Sequence, residues 1–154
     1  MRLALFEPDI PQNTGTLMRL CACLGVALDI IEPCGFLLSD KNLRRAGMDY
    51  IERLDMTRHA DWHAFRAAMP EKRYVLMTTK TDRLFTDFAF APDDILIAGR
   101  ESAGVPDDVR AGCHAHVTIP MMPQTRSLNV AVATALVLGE ALRQTGGYPI
   151  KGAS

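Results

Sequence analysis

An α/β fold built on a parallel sheet is what this 154-residue chain predicts, on three observations. Short apolar stretches of strand length alternate with stretches of helical periodicity. No two apolar stretches are joined by a hairpin-length turn, so neighbouring strands run parallel and are crossed over by helices. The apolar stretches are also near-continuous, as in strands covered on both faces. The length suits one domain, residues 1–154, large enough to bury a core.

Taken in order, Arg2–Phe6 opens the sheet, and Glu7–Gln12, with two prolines, forms a loop. From Asn13 the period changes. Leu17, Leu20, Cys21 and Leu24 fall at helical spacing, and Gly25 closes that helix. Ala27–Ile31 is a second strand, ending at Pro33. Ser39–Gly47 reads as a short helix capped by Ser39, and Tyr50–Asp55 as a short strand. Asp61–Met69 is a helix with Trp62, Phe65 and Met69 on one face. Arg73–Thr78 is a strand, followed by a polar loop through Asp87. Asp94–Gly99 is an apolar strand. The loop Arg100–Pro106 leads into a short helix, Pro106–Gly112, begun by proline. Val117–Ile119 is the last strand, Pro120–Arg126 a loop, and Ser127 the cap that opens the final helix.

That final helix, 127–143, carries Leu128, Val130, Val132, Leu136, Val137 and Leu138 on every side. A helix apolar all round is buried all round. One sheet covers only one side, so a second copy of the chain is expected on the other, giving a homodimer with Val137 at its interface. The run is too short to span a bilayer and is interrupted by Asn129 and Thr134, so no membrane is expected.

Composition narrows the function. With 48% hydrophobic residues and a net charge of −1, the chain is neither disordered nor a polycation. Any surface for RNA must therefore be a local patch. Thirteen of the 17 basic residues are arginines. That suits bidentate phosphate contacts, and an Ala- and Arg-rich genome explains it equally well. Cys21, Cys23, Cys34 and Cys113 show no disulfide framework and read as reduced small hydrophobes in a cytoplasmic protein. The opening MRLALFEPD breaks into Glu-Pro-Asp after one strand's length, which argues against a leader peptide.

Ligands of open α/β sheets bind at the C-terminal ends of strands. Here those ends are the loops after Met77, after Ile97 (GRESAGVP) and after Ile119 (PMMPQTRS). Gly99 and Gly104 lack the Lys-Ser/Thr of a P-loop, and neither G-x-G-x-x-G nor G-x-S-x-G occurs. On spacing alone both glycines are equally explained as turn residues, and Glu101 as a solvated carboxylate. His114 and His116 share a strand face, and His59 and His63 lie four apart at a helix start. Neither pair has a third partner, so no metal is expected.

Three motifs carry more. NTGTLMR (Asn13–Arg19), LIAGRESAGVP (Leu96–Pro106) and IPMMPQTRSLN (Ile119–Asn129) resemble, in order, those of the SPOUT RNA ribose 2′-O-methyltransferases, the TrmH-like knotted enzymes. EPDIPQNTG, IIEPCGF and LRRAGMDY place the resemblance nearest the branch acting on the wobble ribose of tRNA. The resemblance spans nearly the whole chain. It implies a Rossmann-like parallel sheet with a deep C-terminal trefoil knot, a homodimer, S-adenosylmethionine as methyl donor and tRNA as substrate. It places the donor, and its product S-adenosylhomocysteine, on Met77, Gly99, Ile119 and Ser127, with Gly104 and Leu128 adding backbone contacts. It places catalysis on Asn13, Arg19, Glu101, Ser127 and Asn129. Where the relatives carry G-P-E-T-R-G, this chain has G-R-E-S-A-G, so the arginine has moved. Thr81-Asp82 likewise replaces a glycine after the third core strand.

An RNA patch is expected at Arg19, Arg44, Arg45 and Arg126, although Arg44 and Arg45 also fit an ordinary solvated face. Two other readings stand beside the wobble methyltransferase. One is a related enzyme acting on another tRNA position or on rRNA. The other is a module that binds nucleotide or RNA without transfer, but such a module would be expected to have lost some of Arg19, Glu101, Ser127 and Asn129.

Overall fold

The computed structural model describes residues 1–39, 41 and 51–152. Among these, six strands form one sheet: β1 (Arg2–Phe6), β2 (Ala27–Ile31), β3 (Met56–His59), β4 (Tyr74–Met77), β5 (Ile95–Ala98) and β6 (Ala115–Val117). Their spatial order is β3-β2-β1-β5-β4-β6, and every pairing is parallel. The described helices are α1 (Pro11–Leu24), α2 (Trp62–Ala68), α3 (Asp107–Ala111) and α4 (Val130–Thr145), with 3-10 turns at Ile51–Arg53 and Phe85–Asp87.

The central strands are largely apolar because both faces are covered. Leu3, Leu5, Leu28, Ile30, Val75, Leu96 and Ala98 point to one side, against Leu17, Met18 and Cys21 of α1 and Val137, Leu138 and Ala141 of α4. The alternate residues Ala4, Phe6, Ile31, Leu76, Ile95 and Ile97 point to the other, against Trp62 and Phe65 of α2 and Val109 of α3. Charges inside this frame are paired, as burial requires. Asp29 accepts from Arg2 Nε at 2.7 Å and lies 2.8 Å from His59 Nε2. Asp94 takes two nitrogens of Arg73, each at 2.7 Å.

Several boundaries differ from expectation. The strand expected at Tyr50–Asp55 lies instead at Met56–His59, after the 3-10 turn. Its sequence, MTRH, hides the signal because its polar residues are satisfied by distant partners: Arg58 by Glu32, His59 by Asp29. His59 therefore ends a strand, buried, and shares no helix face with His63. Helix α1 starts at Pro11, where the missing N–H costs nothing. The last strand is Ala115–Val117, not Val117–Ile119, in register with Val75–Met77. The helix expected over Ser39–Gly47 lies, except for Ser39 and Lys41, outside the described residues, and so do Arg44 and Arg45.

Helix α4 begins at Val130, and its cap is Asn129 rather than Ser127. The Asn129 side chain accepts from the amides of Ala131 and Val132. Within one chain α4 buries Ala131, Thr134, Val137, Leu138, Ala141 and Leu142. Val137, expected at a dimer interface, is thus a core residue at 1% exposure. The face left open is a different one, with Val132 51% and Leu136 47% exposed. At 100° per residue positions four apart share a face. Among the described residues no helix is long and apolar enough to cross a membrane.

Candidate active site

The chain leaves β1 through α1 on one face of the sheet and leaves neighbouring β5 through α3 on the other. The connections diverge there and open a crevice beyond the strand ends, where such sheets bind ligands. A cavity of about 620 Å³ occupies it, within the ordinary range for a small-molecule site. Asn13, Met77, Gly99, Glu101, Gly104, Ile119, Ser127, Leu128 and Asn129 all line it. Its walls are apolar (Leu76, Val117, Val130, Ala133 and Val137), with charge supplied by Lys80, Arg100, Glu101 and Arg110.

At one side three side chains form a chain of hydrogen bonds whose direction is fixed. Asn129 Oδ1 is committed as the helix cap, accepting from Ala131 N at 2.8 Å and Val132 N at 3.2 Å. Its Nδ2 must then donate, and does, to Asn13 Oδ1 at 2.9 Å. That leaves Asn13 Nδ2 to donate to Glu101 Oε1 at 3.0 Å. The cap of α4 thereby orients a carboxylate on the loop after β5. The other Glu101 oxygen, Oε2, is buried with no hydrogen-bond partner. Burial pushes the Glu101 pKa up, and the adjacent Asp9 carboxylate pushes it further. Asp9 is held down at about 2, first by the adjacent Glu101 carboxyl and then by the Ser102 hydroxyl and the amides it accepts from.

The Gly99–Gly104 loop is closed on itself by reciprocal bonds, Arg100 N to Gly104 O at 3.0 Å and Gly104 N to Arg100 O at 2.8 Å. Gly104 sits at φ +64°, where a side chain is strained. A Cβ on Gly99 would stand 2.8 Å from the Gly104 carbonyl carbon. Gly99 is therefore required by the closure of its own loop. The displaced Arg100, on the cavity lining, bonds Glu7 at 3.2 Å and lies over the Phe6 ring at 5.7 Å.

The profile of the SpoU rRNA Methylase family matches residues 1–139. The chain belongs to that family. Among SpoU relatives, a Beijerinckia indica protein named tRNA (cytidine(34)-2′-O)-methyltransferase is 60% identical over 94% of this chain and 91% of its own. An Escherichia coli protein of the same name is 42% identical over 97% and 96%. A solved structure reported as giving structural insights into the 2-OH methylation of C/U34 on tRNA superposes with a TM-score of 0.87, at 40% identity over 93% and 94%. The SpoU methyltransferase AviRb from Streptomyces viridochromogenes, solved in complex with AdoMet, superposes at 0.79, with 28% identity over 94% of this chain and 60% of its own.

In this SpoU chain two other expected site residues, Arg19 and Arg126, lie apart from the cavity. Arg19 is exposed on α1 and Arg126 is exposed in the loop before α4, and neither lines the cavity. The histidines expected on a strand face are engaged, His114 Nδ1 accepting from Tyr74 N at 2.9 Å and His116 Nε2 standing 3.0 Å from the Arg110 carbonyl. Among the described residues no group of three or more potential ligands could hold a metal. Sequence reasoning missed other residues of the cavity, among them Lys80, Arg110 and Thr134. Lys80 and Arg110 are brought in by strand-end geometry. Thr134, buried with its hydroxyl unpartnered, was legible only as a polar interruption in an apolar stretch.

Proposed function

We propose that this chain transfers a methyl group from S-adenosylmethionine to the ribose 2′-hydroxyl of the wobble nucleotide, position 34, of tRNA, a cytidine or a modified uridine. The observation that carries it is the directed chain Asn129–Asn13–Glu101 at the edge of the cavity. When bound, the donor supplies a methyl on a sulfonium, which needs no acid to help it leave. The protein has only to bind, align and give the hydroxyl proton a destination. The residues present suit that group. Apolar walls from Met77, Val117, Ile119 and Val137 accept a purine and a thioether, while Gly99, Gly104, Ser127 and Leu128 offer backbone groups at the cavity edge.

Glu101 takes the accepting role. Its Oε1 is tethered and its buried Oε2 has no protein donor, so it can orient the hydroxyl or receive its proton, with a pKa raised toward the working range. Arg19 acts as a phosphate clamp, because a guanidinium holds its proton too firmly to be a base at neutral pH. Together with Arg126, and with Arg44 and Arg45, it forms the RNA patch. Fixing the oxygen, carbon and sulfur in line supplies about 7–11 kcal/mol in the best cases.

Two copies pair through the open Val132–Leu136 face of α4, and the segment after β6 passes through the earlier loops as the family's trefoil knot. Supporting the knot, Thr118 bonds both Arg83 and Phe85 before the chain returns to pack α4 on α1. The test is methyl transfer from labelled donor to unmodified tRNA, with mass spectrometry of the nuclease fragments. A 2′-O-methyl at nucleotide 34 is expected. Methylation elsewhere would make this a related enzyme, and tight S-adenosylhomocysteine binding without transfer would make it a binding module.

A further inference from the structure

Asp9 lies in EPDI, the loop between β1 and α1. Its two carboxylate oxygens are both used, on consecutive residues of a different loop. Oδ1 accepts from Glu101 N at 3.2 Å, and Oδ2 accepts from the Ser102 hydroxyl. The β1 loop is itself backed by the next one. Gly35 N, after β2, donates to the Pro8 carbonyl at 2.9 Å. A Cβ on Gly35 would stand 3.0 Å from both Cα and Cβ of Asp9, so a side chain there would press the two loops apart by a few tenths of an ångström. Strands β2, β1 and β5 are sheet neighbours, and their three strand-end loops are stacked in that order, Gly35 against Asp9 and Asp9 against Glu101.

We propose that Asp9 is a positioning residue of the site: its carboxylate suspends the Glu101–Ser102 turn from the β1 loop and so sets where the unpartnered Glu101 oxygen stands. The inference rests on the methyltransferase reading for its consequence, though not for its geometry. Glu101 is then held from two directions, its backbone by Asp9 and its side chain by Asn13. Asp9 also acts through charge. It is the acidic group facing Glu101 from the β1 loop, while Arg100 on Glu101's own loop is paired with Glu7, and Lys80 and Arg110 reach the same cavity from the β4 loop and α3. Two carboxyls this close do not ionise independently. Burial and then Asp9 raise the Glu101 carboxyl above its ordinary range, while Asp9 itself is held low, at about 2.

The experiment uses the full chain with Asp9→Ala, Asp9→Asn, Asp9→Glu and Ser102→Ala. Each is followed by thermal melting, by kcat and KM on tRNA, and by carbon-13 titration of the Glu101 carboxyl. Asp9→Ala should lower kcat by on the order of a hundredfold, the cost of a small misplacement, with KM for tRNA little changed. Asp9→Glu keeps charge and acceptors and should recover most of the rate. Asp9→Asn keeps one acceptor but not the charge, so the Glu101 midpoint should move to lower pH, and the acidic limb of kcat with it. Ser102→Ala removes one suspending bond at an exposed side chain and should cost roughly tenfold in kcat, which keeps the test decisive if Asp9→Ala does not fold. Unchanged kcat in folded Asp9→Ala or in Ser102→Ala would overturn the proposal, as would a Glu101 midpoint indifferent to Asp9→Asn. A wild type that transfers no methyl to tRNA would refute the function instead, with the Glu101 titration still deciding the role of Asp9.

Discussion

Asn129 serves two purposes with one amide, and two substitutions separate them. Asn129→Ala removes both the cap and the link to Asn13. The cap accepts two backbone amides, at 2.8 and 3.2 Å, and its loss costs about 1 kcal/mol. The Asn13 bond adds about 1 kcal/mol more. At roughly 2–4 °C per kcal/mol for a chain near this size, Tm should fall by about 4–8 °C. Asn129→Asp keeps the cap, and its charge at a helix N-terminus adds about 0.3–1 kcal/mol, so Tm should hold or rise. It cannot donate to Asn13, however. The Asn13 amide then turns to offer Nδ2 to the new carboxylate, leaving its oxygen against Glu101 Oε1. Glu101 loses the one hydrogen bond to a neighbouring side chain that lowers its pKa. Its midpoint should therefore move to higher pH, opposite to Asp9→Asn, and kcat at neutral pH should fall by about a hundredfold. The assays are calorimetry for Tm and a pH–rate profile for methyl transfer. An Asn129→Asp protein with the wild-type rate and limb would show the hydrogen-bond chain to be inert. An unaltered Tm in Asn129→Ala would refute the cap.

Gly99→Ala should open the Gly99–Gly104 loop, because its Cβ would lie 2.8 Å from the Gly104 carbonyl carbon. Calorimetry should show S-adenosylhomocysteine affinity down by about tenfold or more at an overpacking cost of about 1–3 kcal/mol, and an unchanged affinity would move the donor elsewhere. Val132→Glu with Leu136→Glu should give a folded monomer in sedimentation, while Val137→Glu, placed in the core, should unfold the chain; a monomeric wild type would end the dimer reading. Iodoacetamide at pH 8 should label Cys23, which is exposed, and spare Cys21 and Cys113, whose thiols burial pushes up to about 12. Equal labelling of all three, read by mass spectrometry, would contradict that packing.

Alternating apolar strands and amphipathic helices, read along the chain, were enough to determine the parallel α/β class, because both signals are local: each strand shows its two buried faces in its own residues, as Leu3 to Phe6 and Ile95 to Ala98 do. The site was legible in the same measure, since its loops follow strand ends and Asn13, Gly99, Glu101 and Asn129 lie in contiguous motifs. What the sequence could not decide depends on contacts distant in the chain. Strand β3 was misplaced because MTRH becomes a strand through Glu32 and Asp29, about 30 residues away. The cap is Asn129, whose oxygen takes the Ala131 and Val132 amides, and only the fold brings its Nδ2 to Asn13, 116 residues earlier. Asp9 and Gly35 read as loop residues until the order β2-β1-β5 stacked their loops against Glu101. Local periodicity reports what each residue buries. Which residue it meets is decided by strand order, and only the folded sheet holds that order.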